Sequence, residues 1–190
     1  MTIDDTWPMR DRFLDLHCRW FRLMGEHLQD PQGQTLEYWR VEKADTVIIL
    51  PIYQQQLLLP PPTYRPGVGQ ATWDFPGGRV AEGHTPATMA PTILQRELGI
   101  QPDTIRQLTP INTTGWAVNS SFSNQYLYGF VADLQPTAEI SPDAIGKTVA
   151  TTPAGIAAML SLLTCLQCRA VILQWWWTLT PHELRGTSSN

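Results

Sequence analysis

Basic residues are scarce in this chain of 190 residues: 13 lysines and arginines stand against 17 aspartates and glutamates, for a net charge of -4. No basic surface is on offer to a phosphate backbone, so nucleic acid is not an expected partner. Cysteine is equally sparse. Cys18 stands alone, and Cys165 and Cys168 form a CxxC with no second pair and no nearby histidine before His182. That is too little for a disulfide framework. On a helix the CxxC spacing puts both sulfurs on one face, where a metal would still lack two ligands, so the pair reads as small core residues. The first residues carry Asp4 and Asp5 and no apolar stretch, which is not what a signal peptide needs, and the expected location is the cytoplasm. An uninterrupted apolar span is missing as well. Residues 154–177 are long and apolar, but Arg169 lies near their middle with Gln167 and Gln174 beside it. A central arginine costs about 2.5 kcal/mol or more in lipid, so no membrane span is expected. There is no internal repeat and no long low-complexity tract; Pro60-Pro61-Pro62 reads as a stiff connector and Gly186 to Asn190 as a frayed tail.

What is present fits a single domain with a full core, since 43% of the residues are hydrophobic. Val47 to Pro51 and Leu57 to Leu59 are short branched apolar runs between polar or proline-rich breaks, the pattern of strands. Pro76-Gly77-Gly78 reads as a glycine turn. Thr85-Pro86 supplies an N-cap and first helical residue, and Gly99 after Leu98 a stop. Pro91 lies past the first turn of that helix, so the helix is expected either to kink or to begin near Pro91 and be short. Further on, Ile156, Met159, Leu160 and Leu163 follow a helical stripe that would cover a core. Trp175, Trp176 and Trp177 cannot all face one way, so part of the triplet is expected to be exposed, and a protein interface is expected there.

The strand, glycine and helix unit, Phe75 to Ile100, resembles the Nudix box. That box runs glycine, five residues, glutamate, seven residues, then Arg-Glu-apolar-any-Glu-Glu-any-Gly-apolar. With Gly78 as its first glycine, Leu94, Glu97, Gly99 and Ile100 fit the closing positions. His84 stands where the first glutamate belongs, Thr92 where the arginine belongs, and Ile93 and Arg96 where two metal-binding glutamates belong. Sliding the register to make Arg96-Glu97 the Arg-Glu pair puts Ile100 and Gln101 at acidic positions and strands the glycines, so the first register stands. Over residues 10–165 the flanks are similar to the ADP-ribose and nucleotide-sugar pyrophosphatase branch. Trp20 to Leu28 and Gln34 to Glu42 look like its N-terminal hairpin, Thr63-Tyr64-Arg65-Pro66 like its arginine-bearing loop, and Asp74 like the acid before its Pro-Gly turn. Phe122-Ser123-Asn124-Gln125 before Tyr126 to Leu134 resembles the loop and strand that carry a catalytic glutamate, here Gln125, and Ala154 to Leu166 resembles the C-terminal helix.

The resemblance implies an α/β fold, the α/β/α Nudix sandwich with a mixed sheet, plus an N-terminal β-hairpin and a C-terminal helix. The segments expected are an N-terminal one at 1–42, a Nudix-like domain at 43–166 and a C-terminal extension at 167–190, within one structural domain. It also implies chemistry the residues no longer match. A working box aims carboxylates at i, i+3 and i+4 at magnesium, and this chain offers Ile93, Arg96 and Glu97 there. An arginine beside one acid repels the ion and pairs with the acid, and a glutamine cannot serve as a base near neutral pH. The expectation is a domain that has lost metal-dependent hydrolysis and binds a nucleotide diphosphate-type molecule, a protein partner, or both, with a homodimer among the partners considered. Arg65, Asp74, Gly78, Arg96 and Gln125 are the expected ligand contacts. No cofactor is expected; if the protein is active, magnesium would serve, with Glu97 as the one catalytic and metal-binding acid. The rival readings are a magnesium-dependent pyrophosphatase with relocated acids such as Asp74 and Glu82, and a structural subunit of an assembly. His84 reads as an exposed loop histidine rather than a ligand.

Overall fold

The computed structural model describes residues 6–179. Asp4, Asp5, His182 and the Gly186 to Asn190 tail lie outside the described residues. The described residues form two compact units, residues 6–44 with 117–126, and residues 45–116 with 127–179.

The smaller unit is built on an antiparallel meander of β1 (Met9–His17), β2 (Arg22–Gln29) and β3 (Thr35–Glu42). The expected hairpin is β2 and β3, and β1 extends it to three strands. Asp30 organises the connecting turn: its Oδ1 accepts from the N–H groups of Gln32 and Gln34 at 3.0 and 2.7 Å, and Gly33 takes φ 80°. Gly25 in β2 is required by close approach, because a Cβ there would stand 2.4 Å from the Phe13 ring. On one face Glu26 is 1% exposed and lies between two guanidiniums, accepting from Arg12 Nε at 2.8 Å and from Arg40 Nε at 2.7 Å.

Hydrogen bonds from Arg40 first, and also from Arg12, hold the Glu26 carboxyl below its ordinary pKa against the opposing effect of burial. A carboxylate with a depressed folded-state pKa adds stability above its unfolded value, near 4.3, and that stability drains away as pH falls from there toward the lower folded value. Replacing a truly buried pair member costs about 3 to 5 kcal/mol, but Arg12 and Arg40 keep 25% and 37% of their side chains in water. Glu26→Gln should therefore lower stability by about 2 kcal/mol at pH 7, and the gap from wild type should close below about pH 4. Urea unfolding of both proteins across that range checks it; a gap that does not change with pH would remove the carboxylate from the explanation.

The larger unit carries a mixed sheet. Its strands are β4 (Thr46–Tyr53), β5 (Gln56–Leu59), β8 (Gly77–Arg79), β9 (Ile105–Pro110), β11 (Tyr126–Leu134) and β12 (Lys147–Ala150); β6 (Thr63–Arg65) and β7 (Gln70–Thr72) form a separate ribbon, and β10 is the two-residue Trp116–Ala117. β11 runs parallel to β4, while β8 and β5 pair with β4, β9 with β11 and β12 with β5, all antiparallel. Two positive-φ residues, Gln54 and Gln55, make the tight β4–β5 turn.

Three helices complete the unit: α1 (Pro86–Leu98), α2 (Pro153–Leu162) and α3 (Leu166–Leu179). α1 starts and stops where expected. The Thr85 hydroxyl accepts from the Thr88 N–H at 3.3 Å, the Thr88 hydroxyl accepts from the Thr85 N–H at 3.1 Å, and Gly99 closes the helix at φ 69°. The expectation of a short helix starting near Pro91 is corrected, since Pro91 lies inside a 13-residue helix. The bond it deletes is to the carbonyl of Ala87, an exposed residue, where water can take the donor's place. Ala90, Ile93, Leu94 and Leu98 pack onto Val47, Ile49, Phe130 and Ala132 of the sheet. Strand alternation sends the intervening residues to the other face, where Gly129 lies against Val171 of α3. The sheet is thus covered on both faces, an α/β architecture.

The apolar run 154–177 is two helices rather than one. Chain direction changes at Leu163, with φ -74° and ψ 118°, and Arg169 spans the break: its Nη1 donates to the carbonyls of Leu160 and, at 3.1 Å, Leu163, capping α2. Among the described residues no helix is long and apolar enough to cross a membrane. The tryptophan triplet divides as helical geometry requires: Trp175 is buried with Val171 and Ile172, and Trp177 is 56% exposed.

Candidate functional site

The glycine segment behaves differently from its sequence reading. Gly77 and Gly78 are not in a turn and take no positive φ; they form β8, paired with Ile48 and Val47. Glycine is needed there for space. A Cβ on Gly77 would lie 3.0 Å from the Val47 carbonyl oxygen, and one on Gly78 would lie 3.2 Å from both Arg96 Nη2 and Ile93 Cδ1.

The last turn of α1 is fastened to this strand by a clamp. Arg96 Nη2 donates to the Gly77 carbonyl at 3.1 Å and meets Glu97 Oε1 at 2.5 Å, while Glu97 Oε2 accepts from the Gly77 N–H at 3.2 Å. Both oxygens of the one acid left in the box are therefore engaged by the protein itself. Ile93, where the resemblance places another metal-binding acid, is fully buried in the core. Thr92 is exposed, and so is His84, whose Nδ1 lies 3.1 Å from the Glu82 carbonyl. Glu82 is exposed in the same loop.

Beside the clamp lies a cavity of about 460 Å³ lined by Arg65, Asp74, Gly77, Gly78 and Glu97 among others. A second, also about 460 Å³, lies next to Pro60–Thr63 and shares Arg65, Thr72, Asp74, Phe75 and Glu97 with the first. The β6–β7 ribbon positions the shared wall. Asp74 Oδ2 accepts from Arg65 Nε at 2.8 Å and from the Thr72 hydroxyl at 2.8 Å. Arg65 remains 51% exposed, and Arg96 56%.

The opposite wall comes from the α2–α3 junction, which sequence reasoning had assigned to the core. A bridge between Trp73 and Leu163 brings the Asp74 segment alongside that junction. Cys165 precedes α3 and accepts its first helical bond, from the Arg169 N–H at 3.0 Å; Cys168 is 2% exposed one turn later, its Sγ 3.9 Å from Asp74 Oδ1. A hydrogen bond from the Cys168 thiol, helped by the Cys168 and Gln167 N–H groups, lowers the Cys165 pKa to about 6 against burial. That same hydrogen bond, together with burial, pushes Cys168 well above the ordinary thiol value. Thr164, Cys165, Gln167 and Cys168 all line the first cavity. The CxxC spacing was the available signal. By itself it offers two ligands and so reads as core, because nothing near it in the sequence points to Asp74.

The structure brings Arg65, Asp74, Gly78 and Glu97 to one cavity and puts Arg96 against its Gly77–Gly78 wall. Gln125 belongs to the smaller unit, where it is 7% exposed and its Nε2 donates to the Ala44 carbonyl at 2.8 Å.

No protein-family model matches the chain, and no curated protein sequence does. Among solved structures, one described as the crystal structure of an ADP compounds hydrolase matches with a TM-score of 0.71, covering 96% of this chain and 97% of that one at 18% sequence identity. The fold is therefore Nudix-like, as expected from the box and its flanks. Identity at this level says nothing of substrate.

Proposed function

We propose that the cavity between the β6–β7 ribbon, β8 and the α2–α3 junction binds an anionic, nucleotide diphosphate-type ligand and that the box no longer hydrolyses it. The observation that carries this reading is the Arg96–Glu97–Gly77 clamp, which puts a guanidinium where a metal-binding acid would stand and uses both oxygens of the remaining carboxylate. A guanidinium can make paired hydrogen bonds to phosphate oxygens with no metal between them; Arg65 lines the cavity and is half exposed, and Arg96 stands exposed against its Gly77–Gly78 wall. A volume near 460 Å³ is within the usual range for small-molecule sites. The ligand class is suggested by the description of the structural neighbour, an ADP compounds hydrolase.

Calorimetry with ADP-ribose as the probe tests this in protein given no divalent metal. Binding should occur, should weaken as salt is raised, and should not be strengthened by magnesium. Arg96→Ala should weaken it about 10-fold or more, the worth of a charge-assisted hydrogen bond. Affinity that requires magnesium, or that is untouched by Arg96→Ala, would remove the reading.

A protein partner or second copy is the competing proposal. It rests on Leu173, Trp177 and Leu179, exposed at 46%, 56% and 55% on α3.

A further inference from the structure

We propose that Asp74, Cys165 and Cys168 form a three-ligand site for a thiophilic divalent cation, Zn²⁺ first among them, with a fourth coordination position facing the cavity. This site is separate from the magnesium position of the box and uses none of its residues. One ligand atom from each of the three side chains lies within 4.8 Å of the other two, and Cys168 Sγ and Asp74 Oδ1 are 3.9 Å apart. Zinc bonds of about 2.3 Å to sulfur and about 2.0 to 2.2 Å to oxygen give tetrahedral edges of about 3.6 to 3.8 Å, so only small rotations are needed to close the site.

The CxxC by itself leaves a metal short of two ligands. Tertiary structure supplies one of them, because the Trp73–Leu163 bridge carries Asp74 to the start of α3. Asp74 is also oriented for the task. Arg65 and Thr72 both hold Oδ2, which leaves Oδ1 toward the sulfurs, and outer-shell hydrogen bonds of this kind orient metal-binding carboxylates. Arg65 further offsets the negative charge that two thiolates and a carboxylate would bring together around a dication. Sulfur ligands select zinc over magnesium or calcium, and three protein ligands with one open position is the arrangement of zinc sites that bind a water or an exogenous ligand. All three residues line the cavity, so its contents can reach that open position.

The inference does not depend on nucleotide binding, since the metal is tested alone. Full-length protein, reduced and stripped of metal, is titrated with Co²⁺ and then Zn²⁺ while absorption is recorded. One equivalent of Co²⁺ should produce sulfur-to-cobalt charge transfer and the visible bands of a tetrahedral ion, and Zn²⁺ should bleach both. Cys165→Ser and Asp74→Asn should each weaken Co²⁺ and Zn²⁺ by about 10- to 100-fold or more, and Cys18→Ser should change nothing. Because Cys165 is part-buried and its variant can misfold, the wild-type spectrum stands as a test by itself. A reduced wild-type protein with no thiolate-to-cobalt band overturns the proposal. So does an affinity that neither variant alters, or a Cys165–Cys168 disulfide that forms in air in protein whose reduced form takes up no metal; that last result would make the pair a redox couple.

Discussion

Incubated with ADP-ribose or a nucleotide sugar and Mg²⁺ or Mn²⁺, the purified protein should release no nucleotide above the uncatalysed background, against the roughly 1 to 1000 turnovers per second typical of enzymes. Magnesium demands near-octahedral oxygen ligands at about 2.0 to 2.1 Å, and one carboxylate whose two oxygens already serve Arg96 and the Gly77 N–H does not provide them. The guanidinium would also sit within a few ångströms of the ion and repel it. Product analysis by chromatography over hours of incubation is the measurement. Turnover in the enzymatic range that disappears in Glu97→Gln would show that the clamp opens and that hydrolysis through the box survives.

Rebuilding the box should fail at its second acid, and this is the largest stability effect expected. Ile93→Glu places a carboxyl where the native side chain is fully buried against Val47, Ile49 and Leu94, with Gly78 pressed close over it. The substitution forfeits about 2 kcal/mol of apolar burial and also desolvates a polar group, so a loss of about 3 to 5 kcal/mol is expected, a large share of the about 5 to 15 kcal/mol that keeps a domain folded. Thr92→Arg, at an exposed position, should cost less than about 0.5 kcal/mol. Chemical unfolding of the two single variants decides the matter. If Ile93→Glu is as stable as wild type, the α1 face is mobile enough for a working box to be restored together with Thr92→Arg, Arg96→Glu and Gln125→Glu.

Local chemistry was legible wherever a residue's meaning depended on near neighbours. Thr85 and Gly99 bound α1 as their capping preferences require, β4 and β5 fall on the apolar runs, β11 falls on the strand that the resemblance implied, and the stripe through Ile156, Met159 and Leu163 is buried. Misreadings arose where the same residue type serves two physical purposes. Gly77 and Gly78 look like a turn because glycine tolerates positive φ, yet they are extended and are glycine because backbone and Arg96 approach from opposite sides. Pro91 looks like a boundary, but a helix end is set by the sum of its caps and its buried face, and α1 keeps both.

The absence of acids at Ile93 and Arg96, the deficit of basic charge and the strand-to-helix frame were determined by the sequence alone, because each is a matter of composition or spacing along the chain. Tertiary structure decided what those residues touch. Which atoms occupy the two oxygens of Glu97 depends on the packing of α1 against β8, and that Asp74 meets Cys165 and Cys168 from about ninety residues away depends on the bridge between Trp73 and Leu163 and the break between α2 and α3. Neither leaves a periodic or capping signature, since contacts between distant segments are chosen by the packing of the whole core, which local propensity does not encode.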